Sequence, residues 1–396
     1  MKIYVIGAGL GKAELISQNS LNIIQNSDMV ITTDRLHEKF KSLNQNSISL
    51  PLSQIPQKIK ENGSLKKIAI LASGDIGFYS ISSMLKEALS DFELEFISGT
   101  SSLQYLTAKM QIPYDNVKTV SVHGRERSVI PFVCYNERVF VLTGGKYKAH
   151  DVINELINAG LGNVFVTLGE NLSDSNERII SDKACNLKDI MFDNLCVMLI
   201  ENLNYHNANQ VLRDSDFVRA KVPMTKEEIR NLSLSKLAIN KSDIVYDIGA
   251  GTGSVSIAMA YKACEGFVYA IEKEQDAVEL IGVNKAKLGA FNLIEKNAKA
   301  PEGIDELPTP NKVFIGGSSG NLDQIFDSVL SKNKNVRIVV NAITLETLNE
   351  AVNCFQKRSI EADIICVNVS KSETIGSYHM MKAQNPVYII SGESDE

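Results

Sequence analysis

Short apolar runs alternate with longer amphipathic stretches along most of the chain, the pattern of an α/β protein. In the first half, residues 2–6, 28–32, 68–71 and 94–97 read as strands, with a helix over 14–26 and another ending at Leu89. A second group follows, with strands at 117–122, 139–142 and 164–168, a helix over 150–159, and antiparallel strands at 176–180 and 196–200. Two smaller α/β lobes with a crevice between them are expected, over about residues 1–120 and 121–202. Residues 203–210 have the polar, Asn-rich composition of a linker, which predicts a solvated His206. From residue 211 the alternation resumes. Strands are predicted at 243–247, 267–271, 293–295, 312–315 and 337–341, helices at 254–263, 274–288 and 344–355, and closing strands at 363–369, 377–383 and 387–390. That suits a doubly wound sheet with an antiparallel end. Thr225 and Glu228 have capping-box spacing for a helix reaching about Leu237.

Glycine-bearing turns follow many of these strands. The first half offers Gly7-Ala-Gly9-Leu-Gly11, Gly74-Asp75 and Gly99-Thr100-Ser101-Ser102, the last reading as a helix start with hydroxyl caps. In open parallel sheets such loops converge on the ligand crevice. In the second half a strand runs into Asp247-Ile-Gly249-Ala250-Gly251-Thr252-Gly253 and then a helix, and the next strand ends at Glu272. A carboxylate there is placed to accept hydrogen bonds from ribose hydroxyls, so an adenosine-bearing ligand is expected. Both loops depart from the dinucleotide fingerprint, with Lys12 and Ser254 where its third glycine would fall. Asp247 has two readings at this level, attraction of a ligand ammonium or ordering of its own loop.

Composition narrows the classes. At 396 residues two or three domains are expected, and 44% hydrophobic with 22% charged residues is ordinary globular usage. A net charge of −6 argues against a general nucleic-acid or anionic-membrane binder. No stretch approaches the ~18 apolar residues of a membrane span, and the first residues lack the pattern of a signal peptide. The six cysteines form no C-x-x-C pair, and several, Cys196 and Cys366 among them, lie in apolar runs. Reduced core cysteine in a cytoplasmic protein is expected. The five histidines are scattered without metal spacing, so no metal site is expected.

The first half resembles the tetrapyrrole methylase family, and within it the CbiE-type corrin C5-methyltransferases. The resemblance rests on IYVIGAGLG, LASGDIGFYS, the run from Gly99 to Arg125, VFVLTGG and VTLGENLSDSNERI. Leu10 and Ile76 stand where that family often has proline, and Ser80 where it often has glycine. Residues 211–396 resemble class I (Rossmann-like) S-adenosylmethionine methyltransferases of the CbiT type, which methylate C15 of the corrin ring and decarboxylate it. Here the motifs are RAKVPMTKEEIR, DIGAGTGSVSI, VFIGGSSG and NPVYII. One departure is Ala298-Lys299-Ala300-Pro301, where the family usually has Gly-Asp-Ala-Pro. The order of the halves is that of bifunctional enzymes of cobalamin biosynthesis.

The resemblance implies one S-adenosylmethionine per half and a tetrapyrrole substrate, a precorrin or cobalt-precorrin. It implies donor-binding roles for Thr225, Gly249, Ala250, Gly251, Thr252, Gly253, Glu272 and Ala300 in the second half, and for Gly74, Asp75, Thr100, Ser101 and Ser102 in the first. His123 and Arg125 are candidates at the substrate end of the first half. Arg219, Lys221 and Lys226 are candidates to meet the ring carboxylates, against the plainer reading of a solvated basic face. Homo-oligomers are common among methylases of both types. Transfer from a sulfonium disperses charge, so alignment can supply much of the catalysis and no strong general acid is required. Two rivals stay open here: a nicotinamide-dependent oxidoreductase, and a non-enzymatic sensor of S-adenosylmethionine or a tetrapyrrole.

Overall fold

The computed structural model describes residues 1–122 and 127–394, and the chain divides into two units. One unit comprises Met1–Arg127, Arg138–Ile157 and Gly162–Glu201; the other comprises Ser128–Glu137, Asn158–Leu161 and Asn202–Glu396.

The first unit holds two sheets. Strands β1 (Lys2–Gly7), β2 (Met29–Thr32), β3 (Ser47–Ser49), β4 (Lys67–Ala72) and β5 (Glu93–Ile97) form a wholly parallel sheet in the order β3-β2-β4-β1-β5. Parallel sheets bury both faces, and the side chains of β1 and β4 divide accordingly. Ile3, Val5, Ile68 and Ile70 pack with Leu85 and Leu89 on one face; Ile6, Ala69 and Leu71 pack with Ile24, Leu36 and Phe40 on the other. The short edge strand β3 lacks an apolar run, so hydropathy does not announce it.

The second sheet contains β6 (Lys118–Ser121), β7 (Arg138–Leu142), β8 (Phe165–Glu170), β9 (Arg178–Lys183) and β10 (Cys196–Glu201), ordered β6-β7-β10-β8-β9. Among the described residues only β6 and β7 are parallel neighbours in this sheet; β9 and β10 both run antiparallel to β8, which lies between them. Leu103, Leu106, Phe140, Leu172 and Leu199 form a core joining the helix Ser102–Met110 to this sheet.

The second unit is built on β11 (Ile244–Ile248), β12 (Phe267–Glu272), β13 (Leu293–Asn297), β14 (Lys312–Ile315), β15 (Arg337–Ala342), β16 (Asp363–Val367) and β19 (Val387–Gly392). A hairpin of β17 (Ser370–Ile375) and β18 (Tyr378–Ala383) stands apart from that sheet. The sheet order is β13-β12-β11-β14-β15-β19-β16, parallel except where β19 lies between β15 and β16. The chain moves outward from β11 to β13, returns, and moves the other way from β14. The switch point therefore lies between β11 and β14, where doubly wound sheets open a ligand crevice. β16 is an edge strand, which leaves Cys366 exposed rather than in the core; Cys134, Cys196 and Cys354 are buried, and no disulfide forms among the described residues.

Two local expectations change. The helix Glu227–Leu237 begins after Lys226, and the Thr225–Glu228 capping box does not form. Glu228 pairs with Lys371 instead, at 2.7 Å, so its carboxylate is drawn to the hairpin. Nor is His206 a solvated linker residue. Its N–H donates to the Cys134 carbonyl at 2.9 Å and its ring lies 6.1 Å from that of Tyr261, where burial lowers its pKa. Nearby, the buried helix Ile130–Tyr135 directs the Tyr135 hydroxyl onto Asn292 at 2.9 Å. The Asn292 amide N–H groups reach the carbonyls of Ala260, Ala263 and Gly266.

Candidate active sites

The switch-point crevice is shaped by backbone that approaches too closely for side chains. Gly249 has φ +74°, and a Cβ on it would lie 2.5 Å from the Gly317 carbonyl oxygen. The turns after β11 and β14 thus touch, which only glycine allows. The Gly249 N–H donates to the Ile271 carbonyl at 2.9 Å, tying the turn to the end of β12. Glu272 completes the arrangement. Its carboxylate accepts from the N–H groups of Gly251 (2.9 Å), Lys273 (2.8 Å) and Glu274 (3.1 Å). A carboxylate offers about four acceptor positions, so capacity remains for a hydroxyl donor.

A cavity of about 1070 Å³ opens over these turns. Of the residues expected at a donor site, Thr225, Gly249, Ala250, Gly251, Glu272 and Ala300 line it, as do Lys221 and Lys226. Thr252 and Gly253 do not: the Thr252 hydroxyl is buried without a hydrogen-bond partner, and a Cβ on Gly253 would press on Ile281 at 3.0 Å. Arg219 also lies off the lining, its guanidinium 3.3 Å from the Asp214 carbonyl. Asp247 is fully buried and off the lining, accepts a hydrogen bond from Ser256, and so joins the strand end to the following helix. Burial raises its pKa to about 7, with the Glu272 charge adding to the effect.

One wall is the stretch from Ala220 to Lys226, held from behind by Arg230. This guanidinium is fully buried. It donates to the carbonyls of Leu212 (2.7 Å) and Thr225 (3.0 Å) and to the Asp214 carboxylate (3.2 Å), and lies over the Phe217 ring. Lining residues that sequence reasoning missed include Lys299, Asn341, Gln384 and Asn385. Asn341 is the penultimate residue of β15 and Gln384 lies shortly before β19, so position near a strand end was the available signal.

In the first unit the turns after β1, β4 and β5 are sewn together. Gly9 and Gly74 exchange backbone hydrogen bonds at 3.1 and 2.8 Å, and Asp75 accepts from the N–H groups of Gly99 (3.0 Å) and Gly77 (2.8 Å). Ser101 caps the helix Ser102–Met110 in a reciprocal box with Gln104. A cleft of about 630 Å³ between the two sheets is lined by Gly74, Ser101 and Ser102, with Arg35, Leu142 and Thr143. Asp75 and Thr100 line two neighbouring depressions instead. Arg35, also missed from sequence, donates to Ser73 at 2.5 Å. His123 and Arg125 lie outside the described residues.

Residues 216–393 match the family described as precorrin methyltransferase domain, and residues 2–188 match the tetrapyrrole (corrin/porphyrin) methylases. A probable cobalt-precorrin-6B C(15)-methyltransferase (decarboxylating) of Methanocaldococcus jannaschii is 39% identical over 181 residues, 46% of this chain and 96% of the relative. The chain belongs to the precorrin methyltransferases. The likeness also crosses both halves: a precorrin-6Y C(5,15)-methyltransferase (decarboxylating) of Sinorhizobium sp is 27% identical over 326 residues, 81% of this chain and 78% of that one. A crystal structure of precorrin-6Y C5,15-methyltransferase from Geobacter metallireducens GS-15 is 39% identical, covers 46% of this chain and 97% of that one, and has a TM-score of 0.45.

Methyltransferases of this family take their methyl group from S-adenosylmethionine. The second-unit crevice fits such a ligand. Among its lining residues Gly317 has open space where a Cβ would stand, and Glu272 is an oriented acceptor at a strand end. The cavity, about 1070 Å³, lies at the upper end of the volumes usual for small-molecule sites, about 300–1,000 Å³.

Proposed function

We propose that the chain methylates a precorrin or cobalt-precorrin at C5 with its first half and at C15 with its second, and removes the C12 acetate carboxyl as carbon dioxide, in cobalamin biosynthesis. The observation that carries this reading is the likeness across both halves, since each half matches its own methylase family. We take the functional halves as residues 1–202 and 211–396, joined by 203–210, with one donor site in each.

S-adenosylmethionine, when bound, supplies an electrophilic methyl on a sulfonium. The protein's part is to hold donor and ring in line and exclude water, a contribution of up to roughly 7–11 kcal/mol in favourable cases. In the second half, Gly249, Ala250 and Gly251 would form the floor and Glu272 would hold the ribose, with Thr225 and Ala300 at the walls. Thr252 and Gly253 would act from behind, by shaping the turn. Lys221, Lys226 and Lys299 make no ion pair among the described residues and would meet ring carboxylates at the cavity mouth, with Arg219 outside it. In the first half, Gly74, Ser101 and Ser102 would bind the donor within the cleft, and Asp75 and Thr100 would hold the turns that frame it. Arg35, His123 and Arg125 are assigned to the substrate side.

No helix among the described residues is long and apolar enough to cross a membrane, and we assign the chain to the cytoplasm without a nucleic-acid partner. The hairpin exposes Ile375, Tyr378, Met380 and Met381, which suits a homo-oligomer contact. The deciding experiment is a mass spectrum of a precorrin-6-type substrate, metal-free or cobalt-bearing, after incubation with the chain and S-adenosylmethionine. Two methyl groups gained and one carbon dioxide lost are expected; an unchanged mass rejects the reading. Calorimetric titration that found tight binding of NAD(H) and none of S-adenosylmethionine would favour the oxidoreductase instead.

A further inference from the structure

The second-unit cavity has two chemically different sides. The turns after β11, β12 and β13 bring Glu272, Glu274, Asp276 and Lys299 to it. The opposite side is formed by residues 316–319 and 341–343 and by those entering β19, and these turns carry only glycine, serine, amide and apolar side chains. Asn341 lies on that side, half-buried near the end of β15 and paired in register with Ile389 of β19, while Lys221 and Lys226 of the Ala220–Lys226 wall line the same cavity.

The Asn341 side chain is oriented from behind. Its Nδ2 lies 2.9 Å from the Ser233 hydroxyl, and Ser233 is fully buried in the helix Glu227–Leu237. That hydroxyl has a single proton, shared between the Ile229 carbonyl at 2.8 Å and the Asn341 Oδ1 at 3.1 Å. It can take one Nδ2 proton of the Asn341 amide, which leaves the second available to the cavity. A buried hydroxyl within hydrogen-bond reach of both amide atoms fixes where the amide sits at the cavity.

The inference rests on the function proposed above. A carboxylate about to leave as carbon dioxide must stay ionised and must give up its charge. An ammonium partner would hold that charge about twice as strongly as a neutral amide does and so oppose its departure. We propose that Asn341 is a catalytic residue of the second half, its side-chain amide holding the carboxylate of the acetate arm that is lost, and that Ser233 is the positioning residue for that amide. The step breaks the bond between the methylene and carboxylate carbons. The electron pair passes into the conjugated ring, carbon dioxide leaves, and a proton from water then converts the methylene to a methyl group.

The test compares wild type, Asn341→Leu, Asn341→Asp, Ser233→Ala and Ser233→Thr by the ratio of carbon dioxide lost to C15 methyl gained. Asn341→Leu should lower that ratio by roughly 10–100-fold, because the arm is no longer held with its breaking bond aligned on the ring, and the methylated, undecarboxylated product should accumulate. Asn341→Asp, which sets a like charge against the arm, should lower it further. Ser233→Ala should lower it in part, and Ser233→Thr, which keeps the hydroxyl, should restore it. S-adenosylmethionine affinity by calorimetry and the thermal midpoint should stay near wild type for Asn341→Leu. An equal fall in both events, or an unchanged ratio, overturns the inference alone. A wild-type chain that leaves the substrate mass unchanged overturns the function reading and this inference with it.

Discussion

The two candidate sites are both built from turns that follow strands, yet they differ in how far local sequence specifies them. In the second unit a single sheet changes winding direction between β11 and β14, and the glycine turn, Glu272 and the Ala298–Ala300 turn all border one cavity. In the first unit a parallel sheet faces a mostly antiparallel one, and the expected residues divide between the cleft and two adjoining depressions. A switch point collects neighbouring strand ends by topology alone. A cleft between two sheets depends on how the sheets pack, which no single motif encodes. The lesson is that motif residues predict a site best when one sheet supplies all of them.

Separate damage to the two halves would test that comparison. The largest effect is expected from Gly251→Arg. Its φ of +55° and the Pro223 carbonyl 3.1 Å from a modest Cβ leave no space for the side chain. C15 methylation and decarboxylation should be lost while C5 methylation continues, as mass spectrometry of the products would reveal; loss of C5 methylation as well would show that the halves do not act independently. Next is Glu272→Ala, which removes the acceptor for three N–H groups. Calorimetry should find the second-half affinity for S-adenosylmethionine weakened roughly 10–100-fold, at about 1–3 kcal/mol for groups left unsatisfied.

A smaller effect is expected in the first half. Asp75→Ala frees the Gly99 and Gly77 N–H groups and loosens the frame of the cleft, so C5 methylation should slow by about fivefold, near the worth of a typical hydrogen bond, with C15 methylation intact. Initial rates of each methylation, followed with labelled donor, check it. The smallest effect on turnover belongs to Asp247→Asn, whose consequence is for stability. Burial raises the Asp247 pKa to about 7, above its ordinary value of 3.8. Between these values the folded state keeps a proton that the unfolded state has lost, so rising pH destabilises the fold through that window. Asn stays neutral in both states. The denaturation midpoint of the variant, compared with wild type, should therefore rise from pH 4 to pH 7 and level off above; a pH-independent difference would contradict the assignment.

Much of the fold was legible. The strand–turn–helix run through Gly249, the strand-end Glu272 and the serine-capped helix at Ser102 are local patterns, and all were read in place. The capping box at Thr225 misled because Glu228 has a stronger partner in Lys371, far along the chain. His206 looked like a linker residue because its partners, Cys134 and Tyr261, are likewise distant in sequence. Asn341 and Gln384 carry no motif, and hydropathy cannot distinguish a strand-end amide that faces a cavity from one that faces water.

By itself the sequence determined the α/β class, the absence of a dinucleotide fingerprint and the resemblance to corrin methylases. These follow from periodicity and from short motifs whose residues interact within a few positions of one another. Only the tertiary structure decided the strand order, the switch point between β11 and β14, the grouping of residues 128–137 with the second unit, and the Ser233–Asn341 contact across 108 positions. Those features depend on pairing between distant segments. Their energies come from burial and hydrogen bonding that exist only once the chain has closed on itself.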